Sequence, residues 1–388
     1  MGADKTWANR IILRQLFKEH YFKDGRRVVE SIDDIPKREF AYTAFDLDSI
    51  ARHKSFRGPK ELQDFLVKNI PSNFYHSSGF YLFPEREMHQ KEWLGATLIF
   101  DLDADHLHHR GVSPLILNLC EECDEIFESQ DPCPQCGKET SKLDWITEKD
   151  LGIVKAETKR LLDILEGRLG FEASSMKAYF SGSRGYHIHV EDEGLKELGQ
   201  EERNEIVDYL MMVGYSLRHE RDPKKSTFAH LLKVARGENV PNGLDKEEKK
   251  ALLRLTKKLA GLAPNETVSS LNAELPKALA SKVEEYVRRT EMVGVDPVVT
   301  TDIHRLIRAP YSLHNKTGLT KQKVDDIDSF DPFADAVGIS SEPIEIFVRY
   351  APRMIFKSDE YGPYRASRVR LPGYVAAYLL ARGVAYAE

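Results

Sequence analysis

Apolar residues recur at helical spacing through KTWANRIILRQLFKEHYF (residues 5–22), which predicts an amphipathic helix. The pattern then switches to alternation, and REFAYTAF (38–45) reads as a strand. GPKELQDFLVKNI (58–70) is a short amphipathic helix starting after Gly-Pro. FYHSSGFYLF (74–83) is β-prone, with Gly79 at a turn or bulge, and another strand follows at 96–103. TEKDLGIVKAETKRLLDILEGRLG (147–170) places Leu161, Leu162, Leu165 and Leu169 on one stripe and predicts a long helix. MKAYFSGSRGYHIHVED (176–192) predicts strand, tight turn, strand, with Gly182 and Gly185 flanking the turn. From about 195 to 290 the chain is highly charged and helix-rich, with helical segments at 200–219, 245–262 and 274–291. That stretch reads as a helical insertion. VVTTDIHRLIRAPYSLHNKTGL (298–319) returns to β and loop character, and the mixed tail ends in apolar YVAAYLLARGVAY. Strands and helices mix without regular βαβ alternation, so an α+β core carrying insertions is expected rather than a doubly wound sheet.

Against this pattern LIFDLDAD (98–105) stands out. On a strand Asp101, Asp103 and Asp105 would share one side, where like charges repel and burial makes the repulsion worse. A divalent cation is the usual remedy, and a solvated acidic turn is the plainer alternative.

Composition narrows the class. The chain has 388 residues, 41% hydrophobic and 30% charged, enough for one large or two ordinary domains. No apolar run approaches a membrane span, and the N-terminus lacks the apolar core of a signal peptide, so an intracellular protein is expected. The net charge of −6 gives no global basic footprint for nucleic acid, though a local basic groove can sit on an acidic protein. The four cysteines, Cys120, Cys123, Cys133 and Cys136, form C-x2-C-x9-C-x2-C. That spacing suits a closed tetrahedral Zn²⁺ site that orders a small loop-rich insert at about 115–140; two disulfides are the alternative.

Two basic clusters can take phosphate. SGSRGYHIH offers Ser181, Ser183 and Arg184 beside glycines that let backbone N–H groups approach an anion, with His187 and His189 on one strand face. RLIRAPYSLHNKTG offers Arg305, Arg308, His314 and Lys316. Upstream, Asp296 or Asp302 could complete a three-carboxylate metal site with Asp101 and Asp103. Carboxylates for two cations and two Arg/His sets for a polyphosphate suit phosphoryl or nucleotidyl transfer.

FDLDAD, YFSGSRGYHIHV and RLIRAPYSLHNKTGL stand in this order, with a cysteine-rich insert between the first two. Together they resemble the small catalytic subunit of the archaeal and eukaryotic DNA primases, the archaeal form more closely. REFAYT and ARHKSF fit the same family, and the resemblance spans about residues 35–320. It implies a mixed-sheet "prim" catalytic core from residues 1–195 and 292–388, a zinc-binding module at 115–140 within it, and a helical insertion at 196–291. It implies template-directed synthesis of short primers from nucleoside triphosphates on single-stranded DNA, for replication. Asp101 and Asp103 match two of the family's three metal-binding aspartates; spacing to the L-I-R-x-P-x-S-L-H motif selects Asp296 as the third, with Asp302 its rival. Triphosphate contacts carry over to Ser181, Arg184, His187, Arg308 and His314, while Ser183 stands where some relatives have a second basic residue. Glu39 and Arg52 match residues that line the family's catalytic cleft. The implied cofactors are Mg²⁺ or Mn²⁺ at the aspartates and structural Zn²⁺ at the cysteines. The implied partner is a primase large subunit, in the cytoplasm and nucleoid of an archaeal cell, with no membrane. The competing expectations are a repair polymerase of the same superfamily, a two-metal nuclease, and a non-enzymatic zinc protein that binds nucleic acid.

Overall fold

The computed structural model describes residues 2–219 and 226–387; residues 220–225 of the expected helical insertion lie outside the described residues. The described residues form a mixed α+β fold with 11 α-helices and several small sheets. The chain divides into two compact units, Met1–Arg203 with Asp296–Glu388, and Asn204–Val295.

The larger unit is built on two four-stranded antiparallel sheets. One runs in the order Leu306–Arg308, Asn73–Ser77, Phe40–Ala44, Leu47–Lys54. The other runs Gln322–Val324, Met176–Phe180, Gly185–Val190, Leu98–Asp103. Alternation along Leu98–Asp103 sends Leu98, Phe100 and Leu102 to one face and Ile99, Asp101 and Asp103 to the other. The helix Glu148–Gly167 packs against this strand and against Gly185–Val190. Its start is fixed by a capping box, Thr147 with Asp150, a device worth about 1 kcal/mol. Ile99 joins Val299 and Ile307 in a small buried cluster that draws in one residue from each sheet and one from the helix Pro297–Thr301.

Around these sheets lie the N-terminal helix Gly2–Glu30 and a C-terminal layer. In that layer the strand Pro343–Ala351 sits between Tyr364–Pro372 and Ala385–Ala387, and the helix Gly373–Ala381 is buried along almost its whole length. A separate three-stranded sheet centres Leu115–Cys120 between Glu125–Glu128 and Ser141–Trp145 and carries the cysteines.

The smaller unit is helical. Ser226–Ala235, Lys246–Leu259, Pro264–Glu274 and Lys277–Glu291 bury Leu231, Val234, Leu252, Leu271, Val283 and Val287 in one core.

Three elements differ from the sequence pattern. The first helix runs to Glu30 rather than ending near residue 22, because Val28 and Val29 continue the buried stripe past the polar Lys23–Arg27 stretch. The segment 200–219 is helical only to Leu210; Met212 and Gly214 then adopt positive φ and turn the chain. The segment after Asp296 begins as a short helix, since Asp296 caps it and Pro297 occupies its first turn.

Candidate active site

The acidic strand meets Gly185–Val190 in a register that sets Asp101 opposite His187 and Asp103 opposite Gly185. Glycine is required there: a Cβ on residue 185 would lie 2.4 Å from the Leu102 carbonyl oxygen. His187 Nε2 stands 3.4 Å from Asp101 Oδ1. The strand ends at Asp103, whose carboxylate accepts from the Asp105 N–H at 3.2 Å and caps a single 3-10 turn. Asp105 therefore leaves the ladder and turns to Arg184, at 2.5 Å.

The third carboxylate arrives from nearly 200 residues away. Asp296 N–H donates to the Asp101 carbonyl at 2.8 Å, and Asp296 Oδ1 caps the Val298 N–H at 2.8 Å. The buried Arg203 guanidinium secures this junction by donating to the carbonyls of Ala96 and Thr97, just before the strand, and of Thr300 on the helix. Burial, then the charges of Asp103 and Asp296, push the Asp101 carboxyl up to about 7. A buried carboxylate that feels two neighbouring carboxylate charges is one a divalent cation would stabilise, although among the described residues only the four cysteines already bring their ligand atoms within metal-binding reach of one another. Asp302 points elsewhere: it accepts from the His304 N–H at 2.9 Å, and it raises the Tyr81 hydroxyl along with burial and Glu39.

The turn between the two central strands is organised by Ser181. Its Oγ accepts from the N–H groups of Ser183 at 3.3 Å and Gly185 at 3.2 Å. Gly182, at φ 86°, brings the turn against the loop 314–320, where Thr317 Oγ1 donates to the Gly182 carbonyl at 2.5 Å. Arg184 leaves the turn toward the acidic strand, with Nε 2.8 Å from Asp103 Oδ1. In the same loop His314 Nδ1 accepts from the Lys316 N–H at 3.0 Å, so the ring carries its proton on Nε2. Arg308 is buried, donating to Asn73 Oδ1 at 2.7 Å and the Leu313 carbonyl at 3.1 Å, with its guanidinium 5.3 Å from the Tyr75 ring centre.

Both histidines stay neutral. Burial first, then Lys321, Arg308 and Arg305, hold His187 well below its usual value. Burial, Arg308 and Lys316 do the same at His314, with Arg184 adding to the effect. The two motifs thus converge on one cation-rich wall beside the carboxylates. Fixed guanidinium forks and neutral imidazoles there are suited to a polyphosphate.

Glu39 and Arg52 engage each other. The buried Glu39 carboxylate accepts from Arg52 Nε at 3.0 Å, Arg52 Nη2 at 3.2 Å and the His53 N–H at 3.1 Å, with Lys91 Nζ at 3.5 Å. Burial pushes Glu39 up, but these donors outweigh it and hold the carboxyl below its usual range. Tyr81 and His304, joined at 2.9 Å, complete this cluster.

The four cysteine sulfurs form the other candidate metal centre, all lying within 4.8 Å of one another. Cys120 and Cys136 Sγ are 3.6 Å apart, and Cys123 and Cys133 Sγ 3.9 Å. A tetrahedral zinc thiolate site separates its sulfurs by about 3.8 Å, given Zn–S bonds of about 2.3 Å. A disulfide would bring them to about 2.0 Å. The donor set fits a metal such as zinc.

Comparison with known proteins matches the sequence to a family. The sequence model of the DNA primase small subunit covers residues 131–326. The DNA primase small subunit PriS of Archaeoglobus fulgidus is 34% identical over 96% of this chain and 97% of its own. That of Cenarchaeum symbiosum is 32% identical over 97% and 98%, and that of Nitrosopumilus maritimus 30% identical over 96% and 97%. The chain belongs to the DNA primase small subunit family.

Within this primase small subunit, two residues outside the motif reading complete the wall. Asn73, on a strand 235 residues from Arg308, fixes the Arg308 fork. Lys321 is fully buried behind the histidines. Neither carries a local signal, since a single Asn or Lys on a strand is commonplace. Among the described residues no helix is long and apolar enough to cross a membrane.

Proposed function

We propose that this protein is the catalytic subunit of a DNA primase, a DNA-directed RNA polymerase-type nucleotidyltransferase that synthesises short primers on single-stranded DNA from nucleoside triphosphates. The observation that carries this reading is the meeting of Asp101, Asp103 and Asp296 beside the Arg184, His187, Arg308 and His314 wall, in a chain of this family. Asp101, Asp103 and Asp296 would hold Mg²⁺ or Mn²⁺; divalent cations bound there neutralise the triphosphate and lower the pKa of the attacking 3′-hydroxyl.

The chain's own residues supply positioning and charge. Ser181 shapes the turn so that its N–H groups and Arg184 approach the triphosphate. Arg308, rigid between Asn73 and Leu313, holds one phosphate in a fixed direction. His187 and His314 are neutral donors that bind phosphate oxygens without adding charge. Such preorganised donors contribute most of the catalysis in phosphoryl transfer. Glu39 aligns Arg52 at the edge of the cleft. The catalytic core comprises residues 1–195 and 292–388, and 196–291 is an insertion; the division of the chain near Arg203 and Asp296 supports this. The zinc module orders the insert that follows the acidic strand. A primase large subunit is the partner, at the nucleoid of an archaeal cell.

The test is unprimed synthesis. Purified protein is mixed with single-stranded template, labelled nucleoside triphosphates and Mn²⁺ or Mg²⁺, beside Asp103→Ala. Short products that vanish in the variant are expected. Extension of a supplied primer without unprimed products would point to a repair polymerase, and degraded template to a nuclease.

A further inference from the structure

Lys321 is an unusual feature of the site's interior. Its side chain is wholly shielded from solvent, and a buried ammonium is costly unless its charge is used. Nζ lies 2.9 Å from His189 Nε2 and 5.0 Å from the centre of the Tyr179 ring. Its backbone is pinned on both sides: Lys321 N–H donates to Ser312 at 3.0 Å, and its carbonyl accepts from Tyr311 at 2.6 Å. Burial first, then Arg308, hold the Lys321 ammonium well below its usual value against the field of Asp101.

The contacts form a sequence. Lys321 hydrogen-bonds His189 Nε2 and so fixes that ring's plane. His189 stacks on His187, with ring centres 6.4 Å apart and planes within 12°. His187 presents Nε2 to Asp101 at 3.4 Å, while its buried Nδ1 has no hydrogen-bond partner among the described residues. With one nitrogen unpartnered, the His187 plane is held by stacking rather than by hydrogen bonds. The ring it stacks on is itself held by Lys321.

We propose that Lys321 is a positioning residue for nucleotide binding: through His189 it fixes the His187 imidazole. This rests on the reading of Asp101 as a metal ligand and His187 as a phosphate contact. The role separates the two ligands. A loosened His187 binds triphosphate less well. The aspartates that would hold a metal ion do not depend on that ring. A site that had merely collapsed would lose both ligands together.

The experiment compares the full-length protein with Lys321→Met and His189→Gln. Mn²⁺ affinity is read from the free-ion EPR signal. Affinity for a non-hydrolysable nucleoside triphosphate analogue is read by calorimetry at saturating Mn²⁺. For Lys321→Met the analogue's Kd is expected to rise about tenfold, the scale of losing an outer orienting partner, while Mn²⁺ affinity is unchanged. His189→Gln should reproduce the nucleotide loss with Mn²⁺ affinity likewise unchanged. Lys321→Arg should restore part of the nucleotide affinity. Unchanged nucleotide affinity in Lys321→Met, or loss of both ligands in step, would overturn the proposal. Should Lys321→Met fail to fold, unchanged nucleotide affinity in His189→Gln overturns it instead. Asp101→Ala is measured alongside: Mn²⁺ binding that survives it refutes the metal site itself, a separate failure from that of Lys321.

Discussion

The cysteine module and the aspartate site lie close in sequence but solve opposite problems. The four sulfurs come from one stretch of 17 residues and already surround a point, at spacings a tetrahedral metal needs. The three aspartates come from two distant segments. One of them, Asp103, is held by Arg184, and another, Asp101, is pushed up to about 7 by burial and its neighbours. A closed site of this kind stabilises a fold and leaves no position for substrate. The aspartate arrangement, with a buried carboxyl crowded by two others, resists folding, and a cation bound there would relieve it. The difference teaches that the strain belongs where the chemistry is.

The comparison is broken most decisively by removing one carboxylate. Asp103→Ala should lower unprimed synthesis by about 10³-fold or more, the scale of deleting a central electrostatic element, with the zinc content unchanged at one per chain. Product yield on a sequencing gel and metal analysis check both halves. Stripping zinc should do the reverse. Chelation is expected to release amide protection across Leu115–Trp145 in hydrogen exchange, while the paired strands Leu98–Asp103 and Gly185–Val190 stay protected. Exchange that spread into those strands would show that the module is part of the catalytic fold rather than an appendage to it.

That contrast also explains what the sequence discloses. The cysteine cluster is legible because all four residues sit within one local spacing. The strand, turn and strand around Ser181 are legible because period-two alternation and flanking glycines are local signals. Asp296 was separable from Asp302 only through family resemblance. What places Asp296 beside Asp101 is a backbone hydrogen bond and the Ile99, Val299 and Ile307 cluster, both long-range. Asn73, Lys91, Arg203 and Lys321 are invisible for the same reason. Each is an ordinary polar residue whose meaning arises from burial beside a distant partner. The short helix after Asp296 was read as β or loop because Val298 and Val299 favour strands, whereas the Asp296 cap and Pro297 override that preference.

A smaller effect sharpens the electrostatic half of the comparison. The Asp101 carboxyl is raised in the folded protein above its ordinary value of 3.8, so the folded state binds a proton that the unfolded state has lost between about pH 4 and pH 7. Stability therefore falls as pH rises through that window, and the full penalty is present above about pH 7. Asp101→Asn removes it. In the presence of a chelator that spares bound zinc, this variant should be more stable than the parent at pH 8, by a few kcal/mol at most, and no more stable at pH 4. Thermal or urea melts at the two pH values decide it. Equal stabilisation at both would mean that the carboxylate is not crowded, and the contrast with the cysteine site would lose its basis.

The smallest expected effect concerns Asp105, the aspartate that leaves the ladder. It meets Arg184 at 2.5 Å, but both side chains are partly exposed, at 41% and 34%. Solvent screens such a pair, which is worth about 0–1 kcal/mol. Arg184 also retains Asp103 as a second, less exposed partner, at 24%. Asp105→Ala should therefore alter the KM for nucleoside triphosphate by no more than about threefold and leave kcat unchanged. The direction is informative even at that size. Asp105 draws one end of the Arg184 guanidinium toward the acidic strand. If Arg184 must leave this partner to reach phosphate, its removal lowers KM. If Asp105 instead holds Arg184 at the height where phosphate binds, KM rises. Steady-state kinetics at fixed Mn²⁺ distinguish the two, and a loss as large as that of Asp103→Ala would return Asp105 to the ladder of ligands from which its turn removes it.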